Sequence, residues 1–174
     1  MKAGAKIIND VSGLRHDAKM SQVASKHGVA VVIMHSRGSP SDMQKKAVYK
    51  DVVRDVIAEL RSSIEKAIRA GVSRDAIIID PGIGFAKTAG QSLEILNRLD
   101  EFRSLGRPVC IGVSRKSFLG KALGGTDPDK RLSGTLAACA IAVMKGANIL
   151  RVHDVKESRD AAAVADSIVR IKAD

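Results

Sequence analysis

The sequence contains no tryptophan, one tyrosine and three phenylalanines. With so few aromatic faces it cannot build the base-stacking platform of a single-strand nucleic-acid binder. It has no apolar run of membrane-spanning length. The longest, Leu136 to Met144, falls far short of the roughly 20 residues a helical span needs. The opening Met1-Lys2-Ala3-Gly4 carries no apolar signal region, so a cytoplasmic location is expected. Only two cysteines occur, Cys110 and Cys139, both inside apolar runs without metal-ligand spacing; buried thiols in a reducing compartment are expected. No two of the histidines His16, His27, His35 and His153 lie three or four residues apart, which excludes the usual spacing of a zinc site. The glycine pairs in Gly82-Ile83-Gly84 and Gly124-Gly125 match neither a Walker A loop nor a dinucleotide fingerprint.

What is present reads as one soluble domain: 174 residues, 45% hydrophobic and 28% charged. Lysine and arginine outnumber the acidic residues by 29 to 19, a net charge of +10, which suits an anionic partner. No block of five like charges exists. Arg54, Arg61, Lys66 and Arg69 are spread along one helical segment, so a solvated face and a small phosphorylated substrate are expected, not a nucleic acid or a membrane.

Five times a glycine precedes a β-branched apolar run: Ala5–Ile8, Val29–Met34, Ala76–Ile79, Val109–Val113 and Ile149–Val152. Continuous runs of this kind predict parallel strands buried on both faces. Helical spacing lies between them. Tyr49, Val52, Val53, Val56, Ile57, Leu60, Ile64 and Ile68 form one apolar stripe. Met20, Val23, Ala24 and His27 form a shorter one after a cap at Asp17. Leu93, Leu96, Leu99 and Phe102 make a third, and Ser133–Lys145 and Ser158–Lys172 the last two. Gly28, Gly71, Gly106 and Gly146 fall where left-handed helix closures belong. The pattern is β-α repeated five times, an α/β domain of parallel strands.

Each run ends in polar residues: Asn9-Asp10, His35-Ser36-Arg37-Gly38, Asp80-Pro81-Gly82, Ser114-Arg115-Lys116-Ser117 and Arg151-Val152-His153-Asp154. Parallel α/β folds bind ligands at the carboxyl ends of their strands, so the five ends predict one pocket. Asp80, on the rigid turn before Pro81, can accept paired hydrogen bonds from an amidine- or guanidine-like edge; an Asx-turn is its bland alternative. Asn9 offers a donor and an acceptor to a heterocycle, or caps its own turn. Lys116 follows a buried strand, where an ammonium needs an acceptor, or is solvated. Arg151 and His153 share a strand face and suit an oxyanion or phosphate, or pair with Asp154 or Glu157.

The segments Ile8-Asn9-Asp10-Val11-Ser12-Gly13, Asp80-Pro81-Gly82-Ile83-Gly84-Phe85, Ser114-Arg115-Lys116-Ser117 and Arg151-Val152-His153-Asp154-Val155, in this order, resemble the dihydropteroate synthases, folate-pathway enzymes that sulfonamides inhibit. The resemblance runs over essentially the whole chain. It implies condensation of hydroxymethyl-dihydropterin pyrophosphate with p-aminobenzoate, releasing pyrophosphate. It also implies that Asn9, Asp80 and Lys116 hold the pterin, with Met34 packed beside it. Arg151 and His153 match pyrophosphate-binding residues; Ser114 and Phe85 match the p-aminobenzoate pocket, with the amino end of the helix after Leu132. Lys116, Arg151 and His153 would be the catalytic group.

Magnesium and a homodimer are further implications; the family's magnesium ligand lies in an amino-terminal loop not represented among these motifs. Ser36 and Ala86 stand where the family more often has Met and Gly. The family barrel has eight β-α units, and the runs here correspond to strands 4–8 of a TIM (β/α)8 barrel, with residues 1–174 as one partial domain. Without the first three units, the first and last runs are expected to become sheet edges with unpaired backbone groups, so this polypeptide alone is expected to be associated or marginally stable, and inactive. The alternatives are a non-catalytic pterin or anion binder and a relative of the methyltetrahydrofolate methyltransferases.

Overall fold

A computed structural model describes residues 3–17, 19–39 and 41–171. Strands form where β-branched residues cluster: β1 (Ile7–Asp10), β2 (Ala30–Met34), β3 (Ile77–Asp80), β4 (Cys110–Ile111) and β5 (Ile149–Leu150). The first three pair in parallel in the order β1-β2-β3, and β4 pairs in parallel with β5. One parallel bridge, Ile79 to Val109, joins the two sets. Beside it the Ile79 amide donates to the Pro108 carbonyl at 2.9 Å. The strands therefore follow one another in chain order and point the same way, so all five carboxyl ends lie on one side.

The helices are α1 (Lys19–His27), α2 (Val52–Arg69), α3 (Ala89–Asn97), α4 (Ser117–Ala122), α5 (Leu132–Met144) and α6 (Val155–Val169). Helix α2 starts at Asp51, whose side chain accepts from the Val53 and Arg54 amides. It buries Val52, Val53, Val56, Leu60 and Ile64 against the sheet. Thr88 and Gln91 open α3 with a reciprocal capping box, and Asp17 takes the Lys19 amide at 2.8 Å. The four glycines expected to close helices all have positive φ.

Several expectations are corrected. The first and last runs are not buried on both faces: Ile7 is 52% and Ile149 37% exposed. Their pairing is as expected of edges: among the described residues β1 pairs only with β2, and β5 only with β4, so each leaves a side uncovered. Leu93 faces solvent; Ile95 is buried instead, and Leu99 and Phe102 reach the core from a tighter 3-10 segment, Leu99–Leu105. The last helix begins at Val155, before Ser158, because the Ser158 amide already donates to the Asp154 carbonyl; its expected end at Lys172 lies outside the described residues. Helix α4, six residues after β4, is too short to leave a periodic signature.

Candidate functional site

The strand ends converge as the parallel order requires. Asp80, the last residue of β3, is 1% exposed. Its Oδ1 accepts from the Gly82 amide at 2.7 Å, a turn that Pro81 and the positive φ of Gly82 make possible. A side chain at position 82 would run into the His35 carbonyl, so only glycine fits there. The Asx-turn and the binding role are thus both available, because they use different oxygens. Oδ2 is left free of the turn and accepts from Arg151 Nη2 at 2.7 Å.

Arg151 stands just beyond β5 and continues its ladder, its amide donating to the Ile111 carbonyl. Its guanidinium lies across the strand ends. While Nη2 holds Asp80, Nη1 donates to Asn9 Oδ1 at 2.9 Å. The fifth strand end therefore touches the first and the third. Gly112 makes this reach possible: a Cβ there would sit 2.7 Å from Arg151 Nη2. Asn9 does not cap its own turn. Asp10 does, accepting from the Ser12 amide, the Ser12 hydroxyl and the Leu14 amide.

Lys116 leads into α4 and points back under the β3 loop. Its Nζ donates to the Ile83 carbonyl and stands 4.9 Å above the Phe85 ring. Burial pushes the ammonium down to about 8, against the pull of Asp80. The solvated alternative for Lys116 is thereby set aside. Met34, paired in register with Asp80, is fully buried under the site. Phe85 lines a cleft of about 590 Å³ at the ends of β1 and β2, together with Asp10, Ser12, Arg15, Ser36 and Met43.

His153 is placed differently from expectation. It is exposed, and its Nδ1 lies 2.9 Å from the buried Ser114 hydroxyl, whereas the Arg151 guanidinium lies on Asp80 and Asn9. The two do not form a side-by-side clamp here, because Arg151 is drawn to the Asp80 carboxylate. Neither pairs with Asp154, which holds Arg115 and is kept below the usual carboxylate range by it. At the amino end of α5, Thr135 Oγ1 takes the Arg115 amide at 3.0 Å and Arg131 reaches the Arg115 carbonyl. Cys110 and Cys139 are free and buried; burial raises Cys110 to about 11, so it is an inert thiol.

One polar group escaped the sequence reading. Lys87, 3% exposed, donates to the Phe85 carbonyl and approaches His35 Nδ1, both at 2.9 Å. His35 in turn meets Glu59 on α2 at 3.1 Å. Its only local signal is a lysine inside an apolar-flanked loop with no acidic neighbour within four residues. Gly112 did carry a signal, since a glycine inside a β-branched run marks a close approach. Among the described residues no three His, Cys, Asp or Glu side chains are grouped to hold a metal ion. Among the same residues no helix is long and apolar enough to cross a membrane.

Comparison with known proteins identifies the family. Residues 1–153 match the family described as "Pterin binding enzyme". The dihydropteroate synthase of Bacillus subtilis is 42% identical over 169 residues, 97% of this chain and 56% of that protein. The crystal structure of the Thermus thermophilus dihydropteroate synthase with 4-aminobenzoate superimposes with a TM-score of 0.90 at 45% identity. It covers 96% of this chain and 64% of that one; a second structure of that enzyme holds 6HMPPP. The Yersinia pestis enzyme, solved as a sulfonamide drug complex, gives a TM-score of 0.91 at 35% identity, with 96% and 60% covered. The chain thus spans about three-fifths of the length of the relatives it matches.

Proposed function

The chain belongs to the family of pterin-binding enzymes, and from that premise we propose that it carries the substrate floor of a dihydropteroate synthase. The observation that supports this best is the seat of Arg151. A guanidinium lies with one nitrogen on buried Asp80 and another on Asn9, and an N–C–N edge of that kind is what the pyrimidine side of a pterin presents. The floor already holds a group of the right hydrogen-bonding pattern. Lys116 adds a cation beside it, and Met34 an apolar surface below. Relatives holding 4-aminobenzoate and 6HMPPP support the same two substrates here.

In this reading Asp80, Asn9 and Lys116 orient the pterin, and Arg151, once displaced from Asp80, turns with His153 to the pyrophosphate. The C–O bond to pyrophosphate breaks with its electron pair leaving on the phosphate oxygen. The cationic methylene is then attacked by the lone pair of the p-aminobenzoate nitrogen, which afterwards loses a proton. Fixed donors aimed at the departing charge stabilise this separation. Phe85 and Ser114 flank the aminobenzoate, near the amino end of α5. Magnesium, implied by the resemblance, finds no site among these residues: Asp80 is taken up by Gly82 and Arg151.

Two soluble anionic substrates fit a cytoplasmic location, and exposed Ile141, Met144, Val164 and Ile168 on α5 and α6 support a second copy as partner. The test is calorimetry with a pterin analogue and with pyrophosphate, beside a turnover assay. Both ligands are expected to bind, and Arg151→Ala is expected to weaken pyrophosphate while keeping the pterin. Binding without turnover would make the chain a pterin and anion binder; no pterin binding by the folded chain would refute the reading.

A further inference from the structure

We propose that Lys87 is a positioning residue for this site, an ammonium clasp that holds Phe85 in place without touching either substrate. The inference rests on the reading of Phe85 as a wall of the aminobenzoate seat, but the clasp itself is a property of the ligand-free chain.

The loop from Gly82 to Lys87 is suspended by its own carbonyls. Lys116 takes that of Ile83, Gln44 Nε2 that of Gly84 at 3.4 Å, Lys87 that of Phe85 at 2.9 Å and the Tyr49 hydroxyl that of Ala86 at 2.9 Å. Such anchoring is needed because Ala86 sits at φ +50°, in the left-handed region that costs a residue with a Cβ. Of these anchors Lys87 is the most buried among those the proposed mechanism does not use. Burying an ammonium is expensive unless it is bonded, and Lys87 has only neutral partners. The Phe85 carbonyl and His35 Nδ1 both accept from it.

That geometry sets the tautomer. His35 Nδ1 accepts from Lys87, so Nε2 carries the hydrogen donated to Glu59. A directed chain then runs from the loop through His35, just after β2, to Glu59 on helix α2, and Phe85 is tied to both. The charged and titratable groups around it are His35, Arg37 and Tyr49 from β2 and the stretch after it, Glu59 from α2, Asp80 from β3 and Lys116 before α4. Arg15, after β1, lies against His35. Burial is the largest influence and brings the ammonium down to about 7; Asp80 and Glu59 oppose it, while Lys116 and Arg37 reinforce it. The clasp is charge-assisted below that pH and weakens to a neutral amine above it.

The experiment compares the chain with Lys87→Met, which keeps the volume and removes the donors. Calorimetry at about pH 6 is expected to show about tenfold weaker p-aminobenzoate binding and less than about twofold change for a pterin analogue. In the unmodified chain, raising the pH from about 6 to about 9 is expected to weaken p-aminobenzoate, starting near 7 as Lys87 loses its charge; Lys87→Met is expected to lose that first part of the decline, including any step near 7. Equal loss of both ligands, or an unchanged step near 7 in the variant, overturns the proposal.

Amide hydrogen exchange of the free chain, corrected for intrinsic pH dependence, separates this from the reading of the site. Exchange across Gly82–Lys87 is expected to quicken as pH rises through about 7, while β2 holds. An unchanged loop overturns the clasp even if ligands bind. A responsive loop in a chain that binds neither ligand supports the clasp and refutes the proposed function instead. Because this series needs no variant, an unchanged loop rules out the clasp even if Lys87→Met does not fold.

Discussion

The first and third strands begin alike and end alike, yet they meet different fates. Ile7-Ile8-Asn9-Asp10 and Ile77-Ile78-Ile79-Asp80 are two isoleucines, a variable residue and an aspartate. In β3, flanked by β2 and β4, Ile77 and Ile79 are fully buried; in β1, paired on one side, Ile7 is half exposed. The aspartates diverge as well. Asp10 uses both oxygens within its own loop, on Ser12 and Leu14. Asp80 spends one oxygen on Gly82 and keeps the other for a group arriving from across the sheet. Local sequence decides that a strand ends in a carboxylate turn. Neighbouring strands decide how much of it is dry, and the length of the turn decides whether a lone pair remains for function.

The sharpest way to break this comparison is to truncate the matched isoleucines. Ile79→Ala should cost about 2–5 kcal/mol of unfolding free energy by denaturant titration, as a buried isoleucine leaving a cavity. Ile7→Ala should cost less than about 1 kcal/mol. Similar values would mean that β1 is covered in solution.

The carboxyl end of the buried strands also sets an acid limit. Burial lowers His35 from 6.5 to about 4, although Glu59 pulls the other way. The folded state therefore stays unprotonated where the unfolded chain takes up a proton, so stability is intact above about pH 6.5 and is lost as pH falls towards 4. The loss amounts to about 3 kcal/mol, because a histidine that resists protonation by one further pH step forfeits about 1.36 kcal/mol. His35→Gln, which does not titrate, should flatten stability in that window; an unchanged slope would assign it elsewhere. Between the two aspartates, Asp80→Ala should weaken a pterin analogue by about 2–3 kcal/mol, as expected for a hydrogen bond to a charged group. Asp10→Ala should leave that affinity nearly unchanged while loosening its loop.

The β-α order, the helix-closing glycines and the polar strand ends were all legible, because each follows from local pattern: β-branched runs, helical spacing and glycine position. Asp80, Asn9 and Lys116 were legible for the same reason, as polar residues at the ends of apolar strands. What was not legible depends on contacts between distant segments. Nothing near Arg151 says that its guanidinium reaches Asn9, 142 residues away in sequence, in preference to Asp154, three residues on. Nothing near Lys87 says that its partner is His35, 52 residues earlier. The two edges were legible as well, since five units of an eight-unit barrel leave β1 and β5 with one neighbour each; the exposure of the Ile7 and Ile149 side chains was not, because an apolar run reports that a strand forms and not how well its faces are covered.

The smallest expected change in stability tests the edges directly. β1 and β5 each expose one side among the described residues, with Ile7 and Ile149 partly in solvent. Such an edge has unpaired amides and carbonyls, and an apolar residue on it favours pairing with another chain. A lysine discourages that pairing, because a second strand would have to bury its charge. Ile7→Lys should therefore change unfolding free energy by less than about 0.5 kcal/mol, the usual range for an exposed position. It should nevertheless lower any concentration-dependent association, with light scattering as the measurement that checks it. Ile79→Lys, with the same chemistry on the covered strand, should unfold the chain. If Ile7→Lys leaves association unchanged, the contact between copies lies on another surface, and the apolar residues of α5 and α6 become the place to substitute next.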